Sequence, residues 1–354
     1  MKKKVLFILW NQKFFGGVER RLLRVYNELS KSCTVEIVVR NGNRKDFNSC
    51  LLKSDVNIDN ISMIHFCSNI KTLFLIVYNK YDVIHFFDYC NFNYVSSIIC
   101  NLIGTKVICT IAYQNYALGV ISKEKIARLK KLFSHTDVID CLFHNGQNFL
   151  SSITKSVICF TPGTFTDTNL FFPKQKDKIM VFGAARLESD KNAKLLLEAL
   201  ILCQDEIRKN GYRILILGKG FEEDSIRKFL SDNFLNDFVD MSGYVKTSSV
   251  LPQASVFFTL DKIENYPSQI WAEAISSGCY IIATNVGETK IDCNNKFTSL
   301  ISLDPKELAK VIVDYINSPQ PIKEQYVIEA REYALKHKNI SKSVKYFLDI
   351  IQKS

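Results

Sequence analysis

The chain has no long apolar run, no closely paired cysteines and few histidines, and each shortage removes a class of function. Within its 354 residues no window approaches the roughly 18 uninterrupted apolar residues of a membrane-spanning helix. The opening MKKKVLFILWNQK has the basic lead of a signal peptide, but its apolar run covers only Val5 to Trp10 before Asn11, Gln12 and Lys13 close it. It reads as a first β-strand, and the protein is expected to stay in the cytoplasm. The eleven cysteines are scattered without a Cys-x-x-Cys pair. An odd, unpatterned set in apolar contexts, such as Cys109 in KVICTI, has the look of reduced core thiols. Five dispersed histidines, none at ligand spacing to a cysteine, and the lack of any Asp-x-Asp motif leave no expected metal site. No nucleic-acid partner is expected.

What is present describes a globular protein of two ordinary domains, with 47% apolar and 23% charged residues. The net charge of +10 is uneven: residues 1–173 carry 21 Lys and Arg against 12 Asp and Glu, so almost all of the excess lies there. A basic first half suits an anionic surface or substrate.

One stretch organises the rest, SVFFTLDKIENYPSQIWAEAISSGCYIIATNVGE, from Ser255 to Glu288. Val256 to Leu260 reads as a buried strand, followed by a polar loop with Asp261 and Glu264. Pro267 stands where a first helical turn accepts it, and Ser268 adds an N-terminal hydroxyl. Ile270, Trp271, Ala274 and Ile275 mark one face of a helix that Gly278 stops. Tyr280 to Thr284 is a second strand, and a Gly287 loop follows. Such a strand–loop–helix–strand unit belongs to a parallel sheet, and its loop is where negatively charged ligands bind.

Along the chain, Val5 to Leu9 is a strand, Asn11 to Phe15 a loop, and Gly16-Gly17-Val18-Glu19 opens a helix to about Leu29. The two glycines let backbone approach a phosphate or sugar closely, or they make a plain tight turn. Strands are expected at Thr34–Val39, with the polar turn NGNRKD after it, and at Ser62–Phe66, Asp82–Phe87, Lys106–Ile111, Val138–Leu142 and Val157–Phe160. Ile70 to Tyr78 is expected to be helical. His85 reads as a core residue more readily than a ligand. Ser122 to Phe133 is an amphipathic helix ringed by five basic residues; it fits an anionic membrane surface or a solvated face equally. In the second half, Lys178–Gly183 is a strand, Arg186 and Lys191 lie in the turn after it, and a helix runs from Ala193 to about Cys203. Paired cations there can clamp a diphosphate. Arg213 to Leu217 ends in Gly218-Lys219-Gly220, a weak phosphate-loop signal. Helices close the chain at Pro305–Asn317 and from Lys323 to about Ile351.

These motifs together resemble the retaining GT-B nucleotide-sugar glycosyltransferases of the large group 1 type. The carriers are the Arg186-Leu-x-x-x-Lys191 turn, the Glu264…Glu273 pair, FVDMSGYV at Phe238 to Val245, the Gly287-Glu288-Thr289 loop and the Gly16-Gly17-x-Glu19 turn. The resemblance implies an α/β fold of two Rossmann-like doubly wound domains facing a cleft: an acceptor-binding domain over 1–172 and a nucleotide-sugar-binding domain over 173–354. The run TPGTFTDTNLFFP resembles the family's crossing between domains, and the last helix, about 323–351, is expected to pack back on the first domain. It implies that Arg186 and Lys191 neutralise the donor diphosphate, Glu264 meets the donor sugar and Glu273 the ribose. Gly16, Gly17, Gly218, Gly220, Pro267, Ser268, Gly287 and Thr289 would line the donor site, with backbone at Tyr244 and Val245 reading the base.

The implied reaction moves a sugar from a UDP-, GDP- or other nucleoside-diphosphate sugar to a glycan hydroxyl. The resemblance further implies a lipid-linked acceptor in bacterial surface polysaccharide synthesis, with peripheral contact to the inner membrane surface and without cofactor or metal. Two departures stand out. Eight residues separate Glu264 from Glu273 where the family has seven, and Ala112 stands where many members carry a histidine. They leave room for a catalytically silent scaffold in a glycan assembly complex. A nucleotide-sugar epimerase on the same fold lacks a visible acid/base constellation.

Overall fold

In a computed structural model of the chain, residues 2–10, 16–56, 58–59, 61–87, 90–293 and 295–352 are described; the loop expected at Asn11–Phe15 lies outside them. The chain forms two compact units, one of residues 1–163 and 340–354, the other of residues 164–339. The run TPGTFTDTNLFFP contains the change of unit, but at Gly163 and Thr164, so the expected bound between residues 172 and 173 falls inside the second unit. The single closing helix expected from Lys323 is two, and only the second belongs to the first unit.

The first unit is a seven-stranded sheet, parallel at every pairing, in the order β3-β2-β1-β4-β5-β6-β7. The strands are β1 (Lys4–Trp10), β2 (Thr34–Arg40), β3 (Ile64–Cys67), β4 (Val83–Phe87), β5 (Lys106–Ile111), β6 (Val138–Cys141) and β7 (Val157–Phe160). Their runs are nearly continuous in apolar, β-branched residues because both faces are covered by helices. Those helices are α1 (Gly17–Ser32), α2 (Arg44–Lys53), α3 (Asn69–Asn79), α4 (Asn91–Leu102), α5 (Gln114–Ala117), α6 (Lys123–Phe133), α7 (Gln147–Ile153) and the returning α13 (Ile340–Gln352), which packs on α1. The polar turn expected at residues 41–46 is a helix start instead: Asn43 caps α2 by accepting from the Asp46 N–H at 2.8 Å.

The second unit is a six-stranded parallel sheet, ordered β10-β9-β8-β11-β12-β13. Its strands are β8 (Ile179–Arg186), β9 (Arg213–Lys219), β10 (Val239–Gly243), β11 (Val256–Thr259), β12 (Tyr280–Thr284) and β13 (Thr298–Ile301). The helices are α8 (Ala193–Asn210), α9 (Glu223–Asp232), α10 (Gln269–Ser276), α11 (Pro305–Asn317) and α12 (Gln320–His337). Trp271, Phe257, Phe258 and Phe297 are fully buried here, each worth about 1.5–3 kcal/mol of hydrophobic stabilisation. The chain runs outward from β8 through β9 to β10, then starts again at β11 on the other side of β8. That reversal opens a crevice beyond the carboxyl ends of β8 and β11, the place where doubly wound sheets bind ligands.

Candidate donor site in the second unit

Strand order alone brings Arg186 and Lys191, which follow β8, to the same edge as Asp261 and Glu264, which follow β11. Arg186 is the last residue of β8, exposed and in register with Lys219 at the end of β9. Lys191 ends a short 3₁₀ turn, and its Nζ forms an ion pair with the Asp261 carboxylate. Burial pushes the Asp261 carboxyl up, and the Lys191 ammonium offsets only part of that rise. The Lys262 N–H also donates to the Asp190 carbonyl at 2.9 Å, so the two loops are stapled by backbone as well as by charge.

Asn265 is the hub of this edge, although its sequence context shows only a polar loop. It is 4% exposed. Its Nδ2 donates to the Thr284 carbonyl and hydroxyl, both at 2.9 Å, and to the Thr289 hydroxyl at 3.1 Å. Its Oδ1 accepts from the Thr259 hydroxyl at 2.8 Å and the Asp261 N–H at 3.1 Å. One amide therefore ties the ends of β11 and β12 to the loop at Thr289. The Thr289 hydroxyl is fully engaged, donating to the Val286 carbonyl at 2.5 Å.

Glu264 bridges two loops. Its carboxylate accepts the Tyr266 N–H at 2.9 Å and the Glu288 N–H at 2.9 and 3.0 Å. Burial outweighs those donors and pushes its carboxyl up to about 7. Gly287 makes this bridge possible: its φ is +52°, and a Cβ there would stand 2.1 Å from the Glu264 Oε2. Gly220 has a comparable reason, since a Cβ would meet the Leu187 carbonyl oxygen at 2.3 Å. Gly218 is the penultimate residue of β9.

Glu273 sits on α10 and is fully buried, with the Thr247 hydroxyl donating to it at 2.6 Å. Its partner follows β10, so this carboxylate joins α10 to the segment carrying Tyr244 and Val245. Tyr244 is half exposed, close enough to Arg186 for that cation to counter the upward push of burial on its phenol. Pro267 does not enter the helix as expected: α10 begins at Gln269, with Ser268 as an N-cap whose side chain makes no capping bond. The polar loop is held by Asn265 and Glu264, which leaves the first turn two residues later.

Gly16 and Gly17 lie in the first unit. Gly16 caps α1, its N–H donating to the Glu19 carboxylate at 2.9 Å, and Gly17 opens the helix. Burial raises the Glu19 carboxyl. Among the described residues, no three His, Cys, Asp or Glu side chains gather to hold a metal ion.

Residues 167–333, nearly the whole of the second unit, match the family described as Glycosyl transferases group 1. Comparison with curated proteins finds no match. Among solved structures, HepE of Anabaena in complex with UDP and glucose superposes with a TM-score of 0.78 at 13% identity, covering 99% of both chains. TarM of S. aureus, solved with Fondaparinux, alpha-GlcNAc-glycerol and UDP, gives 0.77 at 13%, covering 99% of this chain and 100% of its own. WaaG, a glycosyltransferase involved in lipopolysaccharide biosynthesis, gives 0.70 at 13%, again covering 99% and 100%. These likenesses establish the fold, two Rossmann-like sheets of the GT-B kind.

Proposed function

We propose that this chain, with its group 1 glycosyl transferase domain over residues 167–333, moves a sugar from a nucleoside-diphosphate sugar to a glycan hydroxyl with retention at the anomeric carbon. The observation that carries this reading is the Lys191–Asp261 ion pair at the reversal point of the second sheet, with Arg186 and Glu264 on the same sheet edge. The cations would take the donor diphosphate and offset the charge that builds on it as the sugar leaves. Asp261 holds Lys191 ready, and the diphosphate displaces or shares that ammonium. Glu264, raised to about 7, has the carboxyl best suited to accept or donate a hydrogen bond at a sugar hydroxyl near neutral pH. Glu273, with Thr247, is assigned the ribose, and the backbone at Tyr244 and Val245 the base. Solved neighbours hold UDP, which makes UDP-sugars the first donors to test.

A lipid-linked acceptor at an anionic membrane surface fits the first unit. On α6, Lys123, Lys125, Lys130 and Lys131 are exposed without a carboxylate partner among the described residues, while Arg128 pairs with Glu124. On α3, Ile70, Phe74, Val77 and Tyr78 form one exposed apolar stripe opposite the buried Thr72 and Ile76. α4 packs against both α3 and α6, and α3 and α4 contain no acidic residue. Apolar side chains beside unpaired lysines match a bilayer interface. The scaffold alternative is tested directly: slow hydrolysis of a UDP-sugar without acceptor identifies an enzyme, and its absence alongside tight UDP binding identifies a silent member.

A further inference from the structure

Arg40 is the last residue of β2 and is 2% exposed. It stands in register with Trp10 and Cys67, at the carboxyl ends of β1 and β3. Its guanidinium is sandwiched between two rings, with Cζ 4.6 Å from the Trp10 ring and 3.9 Å from the Phe92 ring. The remaining polar contact is weak, Nη2 donating to the Cys90 Sγ at 3.6 Å, and Nη1 has no hydrogen-bond partner. No carboxylate among the described residues pairs with it. A buried cation without a counter-charge is costly, and one kept in a fold calls for an explanation.

The surroundings indicate what completes it. Cys90 is the N-cap of α4, so the guanidinium is aimed at the positive end of a 12-residue helix. Two sources of positive potential converge there, at the carboxyl edge of the first sheet beside the β1–β4 reversal. The stacked rings fix the fork in one plane, with the helix terminus set against it. Donors from two directions match a tetrahedral oxyanion better than a planar one.

We propose that Arg40 and the first turn of α4 form an oxyanion site in the first unit that takes a phosphate group carried by the acceptor. The assignment to the acceptor rests on the transferase reading above; the site itself does not. Trp10, exposed on its outer side and stacked on Arg40, serves as a local fluorescent reporter. Titration with octyl phosphate should give a saturable change in tryptophan emission, lost in Trp10→Phe, with affinity at least equal to that for inorganic phosphate. Arg40→Met should weaken it by about tenfold or more. Arg40→Lys, which keeps the charge without the fork, should weaken it by a smaller factor and decides the matter if the Met variant does not fold. The response should persist in Lys191→Ala, which separates it from the donor site. An equal response to acetate, tighter binding of inorganic phosphate, no saturable change, or full affinity in Arg40→Lys would each overturn the proposal. A chain that gives the Arg40-dependent response but no UDP binding would lose the acceptor role and keep the site.

Discussion

Glu264 places its carboxyl among backbone donors, yet burial dominates and raises it from 4.5 to about 7. The folded chain therefore holds this proton more tightly than the unfolded chain. The stability Glu264 contributes is full below its ordinary range and is lost as pH rises through that window. Glu264→Gln removes the titration, so its melting temperature relative to the parent chain should climb between pH 4.5 and about 7. A constant difference across that range would show that the carboxyl titrates normally. Asn265→Ala strands the Thr259 hydroxyl and the Asp261 N–H in a buried setting, and each such loss costs about 1–3 kcal/mol. Urea unfolding should report a drop of that order or more, together with weaker UDP binding as Asp261 and Lys191 lose their support. At this scale the sequence made the charged residues legible through their motif, while Asn265 and Thr247 stayed hidden. Their importance comes from what lies across the sheet edge, and neither residue type announces a hub by itself.

At the scale of elements, the return of α13 to the first unit rests on a buried polar chain. Tyr346 on α13 donates to Asp140 at 2.6 Å; Arg21 on α1 pairs with the same carboxylate at 3.3 Å, and the Thr110 hydroxyl donates to it at 2.7 Å. His85 meets Thr110 at 2.6 Å and is fully buried, pushed down to about 3 by desolvation. Its charge is thus suppressed in the fold, and stability is lost as pH falls below 6.5, where the unfolded chain takes the proton. Tyr346→Phe leaves Asp140 one donor short and should cost about 1–3 kcal/mol. Hydrogen exchange should speed up along α13 ahead of the rest of the unit; uniform protection would contradict the anchoring role. The core position of His85 could be read from its apolar strand. The Arg21–Asp140 pair, 119 residues apart in sequence, could not. Likewise β5, β7, β12 and α11 have the expected bounds because their runs are apolar or cleanly capped. The uncharged α4, with five Asn and Ser among its 12 residues, has no such signature.

At the scale of the molecule, alternating strands and helices made two doubly wound units legible, and the comparisons establish that fold. Where the chain changes units was less visible, because TPGTFTDTNLFFP is irregular throughout and every part of it can bend. The basic first half supports a further expectation. Vesicles rich in phosphatidylglycerol should retain the chain and release it as salt rises. Exchanging Lys125, Lys130 and Lys131 for Gln should weaken retention, with about 1 kcal/mol for each lysine near the surface. Equal binding to neutral vesicles would leave the α3 stripe as the sole contact.

A diphosphate site built on Lys191 and Arg186 should make the fold respond to nucleotide, and a thermal melt with UDP, GDP, ADP and CMP reads that response. A ligand that binds only the folded chain at a hundred times its Kd adds about 2.7 kcal/mol of stability. We expect a clear rise in melting temperature with UDP that disappears in Lys191→Ala, each shift being taken against the same variant's ligand-free melt, which the unpaired Asp261 carboxylate lowers. An unchanged UDP shift in Lys191→Ala, or no shift with any nucleotide, would contradict the account.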